Sequence, residues 1–296
     1  MGLARVAPGE KTPERVRPEG ISQRALSSIR NIEEDRFGNL WLSSVHGVFL
    51  LKTGPKGEIQ VAESMNKHSF FKENPLTMVR TTYIDPLYDY IWVGTSRDGL
   101  FRIDLKDPFS DEAVKQYKSD NSPYSLSSNF VSCVLRLGND LWVGTEQGGL
   151  CKATDTGSEL KFTTYSEKDG LSNNVVKAIL NDGSGNLWIS TNVGLNRFNI
   201  EAESFQVLRK EDGLPFEEFY YGAAKMESGL LVFSGLEGFF YFYPGQLPEK
   251  EALPNIHLGA FRLYNDIIYP GDTVNGRILL DKQIDQLESL ELKHKE

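Results

Sequence analysis

Apolar and polar residues alternate along most of this chain, and the alternation is broken every few residues by Gly, Asn, Asp or Ser. The stretch 174–208 is the clearest. Asn174-Val175-Val176-Lys177-Ala178-Ile179-Leu180 has the β-branched content of a strand, and Asp182-Gly183-Ser184-Gly185-Asn186 supplies a tight hairpin turn. Leu187 to Thr191 predicts the returning strand, Leu195 to Asn199 a third and Ser204 to Leu208 a fourth. Ile29 to Glu34, Val79 to Ile84 and Val131 to Leu137 carry the same pattern as first strands of other units. Arg36-Phe37-Gly38-Asn39 and Gly138-Asn139-Asp140 are the matching turns, and Pro86-Leu87-Tyr88-Asp89 replaces the turn in the second unit. No segment of the repeated units has a helical period, so the pattern predicts an all-β fold.

The units are copies of one another. All four tryptophans lie in one phrase, at Asn39-Leu40-Trp41-Leu42, Tyr90-Ile91-Trp92-Val93, Asp140-Leu141-Trp142-Val143 and Asn186-Leu187-Trp188-Ile189, spaced 51, 50 and 46 residues apart. Each phrase runs into a small polar loop ending in Gly47, Gly99, Gly149 or Gly194. A fifth, degenerate copy spans Gly229 to Gly238, with Val232 in place of the tryptophan. A fixed aromatic at this period is the mark of a β-propeller, with four antiparallel strands per blade. A blade cannot bury its own faces, so a large flat side chain wedged against the next blade explains the tryptophan. The loop glycines are expected to supply positive φ.

Composition narrows the partners. The 296 residues carry a formal net charge of −9, which disfavours a nucleic-acid backbone or an anionic membrane surface. No apolar run approaches the roughly 18 residues of a membrane span. Residues 1–20 hold charges and Pro8, Pro13 and Pro18 where a secretory signal would be apolar. Arg17 to Ser22 parallels Glu167 to Ser172, so the chain is expected to open on the tail of a preceding blade, within a longer protein. Cys133 and Cys151 fall on the first and third strands of one blade. At about 4.8 Å per strand step they lie about 10 Å apart, beyond disulfide reach, and are expected as free thiols.

The segment 182–198, with Gly170-Leu171-Ser172-Asn173-Asn174-Val175 ahead of it, resembles the two-component regulator propeller repeat, because connector, turn, tryptophan and glycine loop agree in order and spacing. The resemblance recurs across residues 15–245. Pro254 to Asn265 and Ile278-Leu279-Leu280 resemble the opening of the triple-tyrosine module, an immunoglobulin-like domain that follows such propellers. The resemblance implies the sensor region of a hybrid two-component histidine kinase, lying in the periplasm, binding an oligosaccharide, regulating polysaccharide utilisation and dimerising in the full receptor. The kinase would lie outside this chain.

The expected organisation is therefore the end of a preceding blade with its connector over 1–26, five propeller blades over 27–249, and the start of an immunoglobulin-like β-sandwich over 250–296. Family propellers have seven blades, so five four-stranded blades fit part of one and would leave open edges that associate. The alternative is a closed five-blade ring in which the strand around Glu14 to Arg17 completes the last blade beside Gly238 to Tyr243. The tail is expected as a strand over 288–294, although Ile284, Leu287, Leu290 and Leu292 also fit an amphipathic helix.

In a four-stranded antiparallel blade, the loop between strands two and three and the connector to the next blade emerge on one face. That face would carry His46, Arg97, Asp98, Glu146, Gln147 and Asn192 from the loops, and Asn129, Asn173 and Asn174 from the connectors. Such a polar rim suits a carbohydrate, whose hydroxyls need paired donors and acceptors; ordinary solvated turns are the alternative. The four histidines lack metal-ligand spacing, and the turn at Asp182 does not complete the aspartate box of sialidases. No catalytic residue, metal or cofactor is expected. A stand-alone protein-binding propeller is the rival reading.

Overall fold

The computed structural model places strands where the alternation predicts them. It describes residues 3–6, 9, 11–54, 58–120, 122–155, 160–246, 261–282, 284, 287, 289–290 and 292. Two compact units emerge, Met1–Leu247 and Pro248–Glu296.

The first unit opens with an antiparallel hairpin of β1 (Leu3–Arg5) and β2 (Glu14–Val16), followed by one helical turn, α1 (Gln23–Leu26). Ser22 caps that turn, its Oγ accepting from the Ala25 N–H at 3.2 Å. Blade one is β3 (Ile29–Glu34), β4 (Leu40–Ser44), β5 (Gly47–Thr53) and β6 (Ile59–Ser64). Blade two is β7 (Val79–Ile84), β8 (Tyr90–Thr95), β9 (Leu100–Asp104) and β10 (Val114–Tyr117). Blade three is β11 (Val131–Leu137), β12 (Asp140–Thr145), β13 (Gly149–Asp155) and β14 (Leu160–Tyr165). Blade four is β15 (Val176–Asn181), β16 (Asn186–Thr191), β17 (Leu195–Asn199) and β18 (Ser204–Leu208). Blade five has β19 (Phe219–Lys225), β20 (Leu231–Gly235) and β21 (Gly238–Phe242). Each first strand packs against the first strand of the next blade, so the first strands are innermost.

Blade five has three strands among the described residues, and the end of its expected span, residues 247–249, lies outside them. One expectation needs correction. The N-terminal strand does not complete that blade. β2 pairs with β1, and Leu3 packs on the Ile21, Leu26, Leu42 and Leu51 cluster of blade one. The outer face of blade five leaves Phe239 73% and Tyr241 66% exposed, where Phe240 and Phe242 turn inward.

The second unit contains two hairpins, β22 (Phe261–Leu263) with β23 (Asp266–Ile268), and β24 (Thr273–Val274) with β25 (Arg277–Ile278). Their turn residues Tyr264, Asn265, Asn275 and Gly276 all have positive φ, as two-residue hairpins of this twist require. The resemblance over 254–260 lies outside the described residues, and the expected strand over 288–294 falls largely outside them.

The tryptophans do what the repeat requires. Trp41 packs with Val79, Ile91 and Phe101 of blade two, and Trp92 with Val131, Leu141 and Val143 of blade three. Trp142 packs with Val176, Leu187 and Phe198 of blade four, and Trp188 with Phe219, Leu231 and Phe233 of blade five. All four are at most 1% exposed. The indole N–H needs an acceptor in such a site, and the hairpin turn supplies one. Asp35 accepts from Trp41 Nε1 at 2.9 Å, Asp85 from Trp92 at 2.9 Å and Asp182 from Trp188 at 3.3 Å.

Blade three departs from this rule. Six residues before Trp142 stands Arg136, so Trp142 Nε1 is buried without a hydrogen-bond partner among the described residues. Arg136 instead reaches back to blade two, donating from Nε and Nη2 to Asp85 Oδ2 at 3.0 and 2.8 Å. This pair is buried, with side-chain exposures of 5% and 0%. One carboxylate thus closes its own hairpin, holds its own tryptophan and clamps the next blade.

Three stability outcomes are expected in urea unfolding. Trp92→Ala lowers stability by about 3–5 kcal/mol, as for other large-to-small core changes. Asp85→Ala costs about 3–5 kcal/mol because it strands a buried guanidinium, and adding Arg136→Met to it recovers part of the loss. Burial works against ionisation of Asp182, but donors from Ser184, Asn186 and Trp188 outweigh it and hold its carboxyl below the usual range. That contribution is present above the ordinary carboxylate pKa and is lost as pH falls. Asp182→Asn should therefore differ from the parent chain at neutral pH and converge with it in acid.

Candidate functional site: the loop face and the propeller axis

Loops and connectors do share one face, because they are bonded to each other. The N–H of Gly99 donates to the Asn129 carbonyl at 3.0 Å, Gly149 to Asn174 at 3.0 Å and Gly194 to Glu217 at 2.8 Å. These glycines have φ of 76°, 78° and 99°. A Cβ at Gly99 or Gly149 would sit 2.2 or 2.3 Å from the carbonyl oxygen of Tyr117 or Tyr165. Only glycine fits, for conformation and for space.

The nine rim residues divide by what their side chains touch. Asn129 Oδ1 accepts from the Ser119 N–H at 2.8 Å, and Asn174 Oδ1 accepts from the Glu167 N–H at 2.9 Å. Asn173 Oδ1 accepts from the Val175 N–H at 3.1 Å. These three asparagines therefore satisfy backbone donors of their own connectors. Asp98 lies 3.7 Å from Lys118 Nζ in an exposed pair. His46 and Asn192 are half-buried in their loops, while Arg97 and Gln147 are exposed. Glu146 alone of the nine joins side chains from other blades.

The device that gathers them is a bulge near the start of every innermost strand. Against the partner strand, the register skips Arg30 in β3, Arg80 in β7, Ser132 in β11 and Lys177 in β15. In β19 it skips Tyr220, Tyr221 and Gly222 together. A bulge re-aims the residue it leaves unpaired, and here the residues lie next to the axis around which the first strands stand. Tyr221 of blade five consequently meets Arg80 of blade two, whose guanidinium carbon lies 5.2 Å from the Tyr221 ring centroid and 4.7 Å from that of Phe130.

Lys177 Nζ lies 4.5 Å from the Tyr221 ring centroid, donates to its hydroxyl at 3.3 Å and sits 3.8 Å from Glu146 Oε1. The Tyr221 hydroxyl donates to the same Glu146 oxygen. Burial and the Glu146 carboxylate push the Tyr221 phenol up to about 12, with Arg80 and Arg30 pulling in the other direction. The axial cluster thus sets Arg80 and Lys177, with Arg30 near enough to act on Tyr221, against the single carboxylate of Glu146. It is locally cationic in a chain of net charge −9.

Of the residues in the axial cluster, the sequence reading names Glu146 as a site residue and does not so name Arg80, Phe130, Lys177 or Tyr221. The available signal was a polar residue directly after the β-branched opener of each first strand, in Val79-Arg80, Val131-Ser132 and Val176-Lys177. Simple alternation assigns such a residue to a blade face; the bulge turns it to the axis.

Cys133 and Cys151 are free, on β11 and β13 as expected. Burial pushes the Cys133 thiol up to about 12 and raises that of Cys151. Among the described residues, no group of three or more His, Cys, Asp and Glu is placed to hold a metal ion. No helix among them is long and apolar enough to cross a membrane.

Known proteins share both a local motif and the fold. Residues 170–193, the connector into blade four and its first two strands, match the family described as two component regulator propeller. The chain is 24% identical over 278 residues to histidine kinase P4 of Formosa agariphila, an alignment covering 90% of this chain and 19% of that protein. It superposes on the extracellular domain of the hybrid two component system BT3049 from B. thetaiotaomicron with a TM-score of 0.62 and 19% identity, covering 75% of this chain and 29% of that one. PorZ, a surface component of the type-IX secretion system of Porphyromonas gingivalis, gives a TM-score of 0.58 at 16% identity, covering 73% and 32%. The solved structures share the propeller fold. The chain spans about a fifth of the curated relative's length and under a third of the two structural neighbours.

A spectrophotometric phenol titration checks the axial geometry. Tyr221 should ionise near pH 12, above an ordinary tyrosine, and Glu146→Gln should move it part of the way back while burial keeps the remainder. An unchanged titration in that variant would separate Tyr221 from Glu146.

Proposed function

We propose that this chain is a ligand-sensing, extracytoplasmic segment of a hybrid two-component sensor histidine kinase, lying in the periplasm and responding to an oligosaccharide that the cell uses as a signal for polysaccharide utilisation. The observation that carries this reading is the loop face. The blades bring their loops and connectors to it, and its centre combines a hydrogen-bonded chain of Lys177, the Tyr221 phenol and Glu146 with Arg80 packed over aromatic rings. Rings for stacking and paired donors and acceptors are what a sugar needs. The two-component regulator propeller repeats and the kinship with a histidine kinase support placing that face in a sensor.

His46, Arg97, Asp98, Glu146, Gln147 and Asn192 in the loops, with Asn129, Asn173 and Asn174 beside them, are the residues through which such a ligand would be held. The three asparagines would offer only the hydrogen-bonding capacity left over from their connectors. Kinase chemistry belongs to the longer protein. Signalling requires that the ligand bind one arrangement of a receptor dimer more tightly than another, since equal affinity shifts nothing.

The test is thermal unfolding of the 296-residue chain across a panel of oligosaccharides. A ligand at about a hundred times its Kd adds roughly 2.7 kcal/mol and raises the midpoint by a few degrees. One oligosaccharide should do so and its epimers should not. Stabilisation by a peptide or protein, with no response to any sugar, would replace the sensor with a protein-binding propeller.

A further inference from the structure

We propose that the axial cluster is a carboxylate-binding site, in which Arg80 and Lys177 hold the acidic group of a uronate-type sugar at the centre of the loop face. The proposal rests on the sensor reading for the sugar and on the cluster itself for the carboxylate.

Arg80 is the central observation. Its guanidinium lies over the rings of Phe130 and Tyr221, and Nε is buried with no hydrogen-bond partner among the described residues. Stacking on a ring uses the face of a guanidinium and leaves its in-plane donors unused. A buried donor without an acceptor costs about 1–3 kcal/mol, more when it is charged. Arg136, the one buried arginine among the described residues, has its donors answered, Nε and Nη2 by Asp85 and Nη1 by the Asn139 carbonyl. Arg80 has the donors of Arg136 without its acceptor.

The nearby anion does not fill that role. Glu146 directs Oε1 to the Tyr221 hydroxyl and to Lys177. One carboxylate therefore faces Arg80 and Lys177, with Arg30 close enough to act on the same phenol. The deficit is of negative charge, and a carboxylate fits it because it accepts two parallel N–H bonds from one guanidinium. The bulges set this composition, since each innermost strand contributes its unpaired residue to the axis, and two of those residues are arginines and one a lysine. A neutral sugar accepts from Arg80 only through hydroxyl or ring oxygens and leaves the charge imbalance as it is.

Calorimetry on the 296-residue chain tests this with digalacturonate, its dimethyl ester and acetate as probes. The acid should bind at least about tenfold more tightly than the ester, the worth of one charge-assisted bond, and added sodium chloride should weaken it. Arg80→Gln should remove the preference for the acid. Glu146→Gln should increase the acid's affinity several-fold, because it removes the competing carboxylate; it decides the matter if the Arg80 variant fails to fold by circular dichroism. Equal affinity for acid and ester overturns the carboxylate site and leaves the sugar sensor standing. Acetate binding as tightly as digalacturonate supports the carboxylate site and removes the sugar from the reading. No heat from the acid with either the parent chain or the Glu146 variant overturns the proposal.

Discussion

Each of the first four blades of this protein depends on a tryptophan it cannot bury by itself. Trp41, Trp92, Trp142 and Trp188 lie on the second strands of their blades and are covered by the strands of the blade that follows. The burial stabilises the contact, but the indole N–H must also be satisfied, and an aspartate in the preceding hairpin turn does so in three of the four blades. That bond couples the local turn to the long-range contact, so a blade is shaped by the same residue that prepares it for its neighbour. Where the aspartate is replaced by Arg136, the bond is lost and a buried ion pair across the interface takes its place.

The repeated scaffold has a functional consequence. Because every innermost strand carries a bulge near its start, every blade offers one re-aimed position to the axis without disturbing the packing of its faces. Those positions hold Arg30, Arg80, Ser132 and Lys177, and in blade five a three-residue bulge with Tyr221. The scaffold is conserved from blade to blade within the chain while the axial residues differ. Chemistry can therefore vary at the centre while the tryptophan packing stays fixed.

The blade units were legible because strand alternation and turn chemistry are local. Ile29–Glu34, Val79–Ile84, Val131–Leu137, Leu195–Asn199 and Ser204–Leu208 are strands within the bounds their alternation predicts. The loop face was legible too, since antiparallel connectivity fixes which loops share an end. The axial cluster was not. Glu146 and Tyr221 are 75 residues apart, and no pattern within a single repeat relates them.

The sequence by itself determined the repeat, the strands, the face that carries the loops and the burial of the tryptophans, because each follows from periodicity and from the solubility of side chains. Only the tertiary structure decided that Asn129, Asn173 and Asn174 satisfy backbone donors, that the N-terminal hairpin packs on blade one, and that Arg80 meets Phe130 and Tyr221. These outcomes depend on bulges and on how blades stack. A bulge reverses the facing of a side chain without leaving a mark in the alternation, and stacking joins residues whose separation along the chain carries no signal.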